Sequence, residues 1–236
     1  MLDQHFIIDK ELIKRIVSYA SLNKNDIVLE IGSGTGNLTQ ELCKKCKVIA
    51  VEIDSVLVKT LKDKKLKNVE VIEGNILKLI NKLKFNKIVS NLPYNICEPL
   101  LNKLLNINFE LAIFTVPYKF ASRLTKEKSL LSILMPIFFI IAILEEVNKE
   151  AFEPMPRVSS NVIKIIPKKL SKKELLIKEI YLQNDKKLKN ATRDSFKKIF
   201  ELNKFDATKK IPNFSFNNKL VYQLNYEEWK EVIKNL

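Results

Sequence analysis

Three of the chain's four glycines fall within five positions, in Glu30-Ile31-Gly32-Ser33-Gly34-Thr35-Gly36. The run follows IVLEI, which reads as a buried strand, and precedes a helix-like stretch. A strand-to-helix turn without side chains lets a ligand approach the backbone. Glu52 ends the next apolar run, VIAVE, 18 positions after Gly34, where an acid suits ribose hydroxyls. Loop and acid together predict a nucleotide-type site. Glu30 narrows it. A carboxylate just before the first glycine repels a pyrophosphate but pairs with a cationic amino group, directly or through water. That tilts the reading from NAD toward S-adenosylmethionine.

The second motif is Asn91-Leu92-Pro93-Tyr94, after a fourth strand-like run at 87–90. In α/β sheets ligands sit at the carboxyl ends of strands. An adenine amine is a poor nucleophile because its lone pair is delocalised into the ring. The Asn91 side-chain oxygen and the Leu92 carbonyl can hold its two hydrogens, localise the lone pair and aim it at a methyl donor. Pro93 fixes the turn, and Tyr94 can stack on a base taken out of its own stack. A sulfonium donor needs no strong base.

The elements that must position these groups alternate. Strand-like runs at 27–31, 48–53, 69–72, 87–90 and 111–116 are separated by helix-like runs at 37–44, 56–61, 76–83 and 100–105, with a helix at 10–20 ahead of them. This predicts a Rossmann-like, doubly wound α/β fold on a parallel sheet. Residues 158–166 read as another strand. After Pro167 lysines rise and helical patterns dominate, so domains are expected at 1–167 and 168–236, the second a small basic helical unit.

The net charge is +14, from 41 Lys+Arg against 27 Asp+Glu, and residues 168–236 carry +8 of it. This excess predicts a polyanionic partner. Three cysteines suit a reducing compartment. Cys43 and Cys46 form a C-x-x-C with no second pair, and His5 is the sole histidine, so no zinc site is expected. The 15 apolar residues 130–144 are too short to span a membrane, and Pro136 interrupts them; a buried helix running into a buried strand is expected. No signal peptide is visible.

Four blocks then resemble the ribosomal RNA adenine dimethyltransferases, a family that also holds the macrolide-resistance rRNA methylases. They are DQHFIID at 3–9, LEIGSGTGNLT at 29–39, NLPYNI at 91–96 and FEPMPRVSS at 152–160. The opening block and NLPYNI are closer to the housekeeping dimethylases, especially their archaeal branch. The resemblance implies a Rossmann-like methyltransferase domain with a helical C-terminal domain. It implies transfer of two methyls to each of two adjacent adenines near the 3′ end of small-subunit RNA, in a cytoplasmic monomer serving ribosome biogenesis.

It also implies residue roles. Gln4, His5 and Ile7 line the cofactor's methionine end, Gly32 and Gly34 approach it, and Glu52 takes the ribose. Asn91 and Tyr94 serve the target base, with Phe152 stacking from the other side. Three departures stand out. Asn75 replaces the family's Asp after Gly74, where an acceptor meets the cofactor's adenine amine. Pro117-Tyr118-Lys119 stands before Ala121-Ser122-Arg123, and the segment at 128–132 is altered and shorter. Alternatives are a non-catalytic RNA-binding assembly factor, which intact Asn91–Tyr94 and Glu52 disfavour, and a DNA adenine methylase. An NAD oxidoreductase is the most distant, because one histidine leaves few acid–base groups.

Overall fold

The computed structural model describes residues 4–236. In chain order the elements are β1 (Phe6–Ile7), α1 (Lys10–Tyr19), β2 (Ile27–Ile31), α2 (Asn37–Leu42), β3 (Lys47–Glu52), α3 (Ser55–Asp63), β4 (Val69–Glu73), α4 (Ile76–Leu79), β5 (Lys87–Asn91), α5 (Cys97–Leu104), β6 (Leu111–Pro117) and α6 (Tyr118–Thr125). There follow α7 (Leu130–Phe138), β7 (Phe139–Val147), β8 (Phe152–Glu153), β9 (Ser160–Pro167), α8 (Lys172–Leu182), α9 (Leu188–Phe200), α10 (Lys204–Lys209) and α11 (Tyr226–Asn235). They form two compact units. One runs to Thr125 and adds Ile140–Pro167; the other joins Lys126–Phe139 to Lys168–Leu236.

The first unit holds a seven-stranded sheet in the order β4-β3-β2-β5-β6-β9-β7. Strands β2 to β6 pair in parallel. Their central residues Val28, Leu29, Ala50, Ile88, Val89 and Ile113 are buried, the near-continuous apolar runs expected of strands covered on both faces. β2, β3 and β4 step outward in one direction, then the chain returns to place β5 on the other side of β2. The switch point between β2 and β5 opens a crevice at their carboxyl ends. The expected strand near 158–166 is present as β9 but runs antiparallel to β6, with Ala112 opposite Ile165 and Pro117 opposite Ser160. An apolar run specifies a buried strand and says nothing about its direction.

Helix α1 begins at Asp9, whose side chain caps Glu11 and Leu12, and it buries Leu12, Ile13, Ile16 and Val17 in the main core. At the amino ends of β2 and β5 the buried Lys87 ammonium meets Asp26 at 3.0 Å and the Ser21 carbonyl at 3.1 Å. Burial pushes the Cys97 thiol up to about 12 and the Cys46 thiol up to about 11. Both cysteines pack as small apolar residues.

The second unit is helical. Capping boxes start α7 at Ser129, α8 at Ser171 and α11 at Asn225. α7 packs on α8 and α11, burying Leu131, Leu134, Met135 and Phe138, while Trp229 of α11 meets Tyr181 edge-on at 6.0 Å. Residues 130–144 form a helix and then a strand, and among the described residues no helix is long and apolar enough to cross a membrane. The helix does not stay with the sheet it precedes. Residues 126–139, assigned from sequence to the first domain, cluster with the second unit, because the apolar face of α7 is completed by α8 and α11.

Candidate active site

The carboxyl ends of β2, β3, β4 and β5 border a cavity of about 350 Å³. From sequence, Gln4, His5, Gly32, Glu52, Asn75, Asn91, Leu92, Pro93 and Tyr94 were expected at a site, and all line it. Phe6, Ile53, Ile76 and Asn95 also line it and were not anticipated.

Strand order sets the layout. Asn91 ends β5, Gly32 follows β2, Glu52 ends β3 and Asn75 follows β4, so these groups sit side by side along one sheet edge. Gly32 has φ +67°, and a Cβ there would come within 3.1 Å of Pro93 Cγ. The bare glycine therefore lets the β2 and β5 loops meet. The Glu52 carboxylate accepts from the Gly34 amide at 2.9 Å on Oε2, and from the Ile53 and Asp54 amides at 2.8 and 3.0 Å on Oε1. These bonds fix its position and leave lone pairs for further donors.

Asn91 donates through Nδ2 to the His5 carbonyl at 2.7 Å. Its Oδ1 is buried and has no partner among the described residues. The His5 ring meets the Pro154 carbonyl through Nδ1 at 2.7 Å; because a carbonyl only accepts, Nδ1 carries the hydrogen. The same ring lies 5.7 Å from the Tyr94 ring, tilted by 40°. Tyr94 is held from its other end by a 2.9 Å hydrogen bond between its hydroxyl and Ser160 Oγ.

Four expected residues, Phe152, Ile7, Gly34 and Glu30, do not line the cavity. Phe152 does not face the cavity: it is 3% exposed, pairs with Ile7 across β1 and β8, and packs in the main core. Its block acts through backbone, since β8 and Pro154 hold the opening segment in place. Ile7 points away from the cavity because successive residues of β1 face opposite sides. It is 4% exposed in the core, and its carbonyl accepts from Asn37 Nδ2 at 2.9 Å. Gly34 does not line the cavity either. A Cβ there, at φ +53°, would lie 2.6 Å from Phe6 Cδ1 and Cε1, so this glycine makes room for the Phe6 ring. Asp3, which opens the first block, lies outside the described residues.

Glu30 is 2% exposed and lines a separate pocket of about 20 Å³ shared with Ser33 and Asn91. Glu30 Oε2 and Ser33 Oγ have no partner among the described residues. Burial pushes the Glu30 carboxyl up to about 8, and the negative Glu52 adds to the push. The pocket has room for about one water between these acceptors. Asn75 caps α4, its Oδ1 accepting from the Leu77 amide at 2.9 Å.

A parallel sheet with a glycine loop after one strand, an acid ending the next and Asn-Leu-Pro-Tyr at the switch point defines a Rossmann-like methyltransferase. Comparison with known proteins agrees. A family model described as ribosomal RNA adenine dimethylase matches residues 1–235. A probable ribosomal RNA small subunit methyltransferase A from Methanosarcina barkeri is 43% identical over 204 residues, covering 80% of this chain and 71% of the relative. A crystal structure of a dimethyladenosine transferase from Plasmodium falciparum superposes with a TM-score of 0.67 at 25% identity, over 98% of both chains. The 23S rRNA methyltransferase ErmE shares the fold, with a TM-score of 0.64 at 20% identity over 98% of this chain and 99% of its own. The chain belongs to the ribosomal RNA adenine dimethylase family, and it is an rRNA adenine methyltransferase.

Proposed function

We propose that the protein binds S-adenosylmethionine in the 350 Å³ cavity and dimethylates two adjacent adenines near the 3′ end of small-subunit ribosomal RNA. It acts as a cytoplasmic monomer during small-subunit assembly. The observation that carries this reading is the buried, unpartnered Oδ1 of Asn91, fixed in direction by the bond from its amide nitrogen to His5.

The residues present fit the cofactor. The cavity volume lies in the range of small-molecule sites. Glu52 suits the ribose hydroxyls, and with the reacting end at Asn91 the base falls toward Asn75, between the apolar side chains of Ile53 and Ile76. Gln4 and His5 border the methionine end. Glu30 reaches its ammonium through the water-sized pocket. When bound, the cofactor supplies a sulfonium-activated methyl group.

The protein's own groups do the rest. Asn91 Oδ1 and the Leu92 carbonyl each accept one hydrogen of the target amine, which localises its lone pair. Tyr94, locked by Ser160, offers a face for the flipped base. The basic second unit holds RNA phosphates. Incubation of unmethylated small subunits with isotopically labelled cofactor, then mass spectrometry of the RNA, tests the reading. Labelled dimethyladenosine at two adjacent positions is expected; absence of label in any adenine overturns it.

A further inference from the structure

Of the chain's thirteen phenylalanines, only Phe200 and Phe205 are exposed. Both belong to the second unit, Phe200 ending α9 and Phe205 standing second in α10. Phe205 is 67% exposed, the most exposed aromatic among the described residues. Each ring carries a lysine ammonium on one side: Lys209 Nζ lies 4.1 Å from the centre of Phe205, and Lys172 Nζ lies 5.6 Å from that of Phe200. Lys197, Lys204 and Lys210 are exposed on the same stretch. Among the described residues none of these five lysines makes an ion pair. The nearby Asp206 accepts instead from Asn203 Nδ2, at 2.6 Å.

Leaving Phe205 two-thirds exposed is unfavourable, while Phe200 is 37% exposed with its ring 5.7 Å from Phe196. A surface on which ammonium groups outnumber the carboxylates of Glu201 and Asp206 also repels itself. An occupant that relieves both must offer flat apolar faces and negative charge at close spacing. An unpaired nucleotide does, with its base over the free ring face and its phosphate at the lysines. A duplex does not, since its base faces are stacked on one another. An apolar peptide would cover the rings and leave the ammonium groups uncompensated.

We infer that Phe205, assisted by Phe200, is a stacking platform for unpaired bases of the ribosomal RNA substrate, with Lys172, Lys204, Lys209 and Lys210 on the flanking phosphates. The inference rests on the rRNA reading above and adds a preference for single-stranded segments of that RNA.

The test measures affinity of the full chain for a single-stranded oligonucleotide and for a blunt-ended RNA duplex of equal charge, by anisotropy across a salt series. Phe205→Ala should weaken single-strand binding between about fivefold and a hundredfold at every salt concentration. Duplex affinity and the salt slope should stay unchanged, because a duplex offers no free base face and stacking releases no counterions. Phe205→Trp should restore the affinity. Lys209→Gln should instead flatten the single-strand slope by about 0.7. Equal losses on both RNAs, or no loss on either, overturn the platform; no loss would leave the rings to a protein partner. A wild-type chain that binds neither RNA overturns the RNA reading, and the platform with it.

Discussion

The Asn91 amide donates to the His5 carbonyl across 2.7 Å, and this bond decides which end of the amide a ligand meets. A carbonyl cannot donate, so the NH₂ group must face His5 and Oδ1 must face away. The residue just before β1 thus orients a group at the far side of the switch point. Asn91→Ala should lower the single-turnover methylation rate by about 100-fold or more, as loss of one well-placed transition-state contact does. Asn91→Asp keeps an acceptor and should retain more activity. RNA affinity, dominated by phosphate contacts, should barely change in either. A wild-type rate in Asn91→Ala would remove Asn91 from the chemistry.

Glu30 should make stability and cofactor binding depend on pH. Its carboxyl is raised from 4.5 to about 8 in the folded chain, so folding retains a proton that the unfolded chain releases between those values. That contribution is complete below about 4.5 and is lost as pH rises toward 8. Denaturant unfolding of wild type and Glu30→Gln between pH 5 and pH 9 isolates it. Wild type should lose stability relative to the variant as pH rises, and parallel curves would contradict the assignment. Over the same range affinity for S-adenosylhomocysteine, whose ammonium favours an ionised Glu30, should rise in wild type and change less in Glu30→Gln.

Gly34→Ala tests the space taken by Phe6. The left-handed backbone alone costs roughly 1–2 kcal/mol for an alanine, and the new methyl must displace a ring 2.6 Å away. Calorimetric titration with S-adenosylhomocysteine should show weakened binding, because Phe6 lines the cavity. Adding Phe6→Ala should make the two effects less than additive. Strict additivity would separate Gly34 from Phe6.

At Asn75 the single oxygen is occupied by the Leu77 amide, which turns the NH₂ group outward. Asn75→Asp keeps the cap and presents a second oxygen to a cofactor adenine amine. One added hydrogen bond should tighten S-adenosylhomocysteine binding by about two- to tenfold, read by titration. Unchanged or weaker binding would place the adenine amine elsewhere.

The glycine loop, Glu52 and the Asn91 turn were legible from sequence because each combines residue type, spacing and position at a strand end. The direction of side chains was not. Phe152 and Ile7 sit inside strongly patterned blocks, yet a block does not say that β1 and β8 pair and turn both residues into the core. The sequence pattern presents Gly34 as room for a ligand, whereas the group it makes room for is the Phe6 ring, 28 positions earlier in sequence. β9 and α7 were missed in another sense: their apolar patterns predicted the elements but could not give strand direction or the partner that completes a helix face.

The excursion of residues 126–139 into the second unit bears on the order of synthesis. α7 leaves the ribosome before the strand that closes the sheet edge, and its partner α11 begins 88 residues after it ends. At about 5–20 residues per second, the apolar stripe of Leu131, Leu134, Met135 and Phe138 waits roughly 4–18 s for that partner. A chain halted after Pro167 never supplies it. Such a product would be a natural client for chaperones that hold exposed helices, and a poor choice for isolating the methyltransferase sheet by simple truncation.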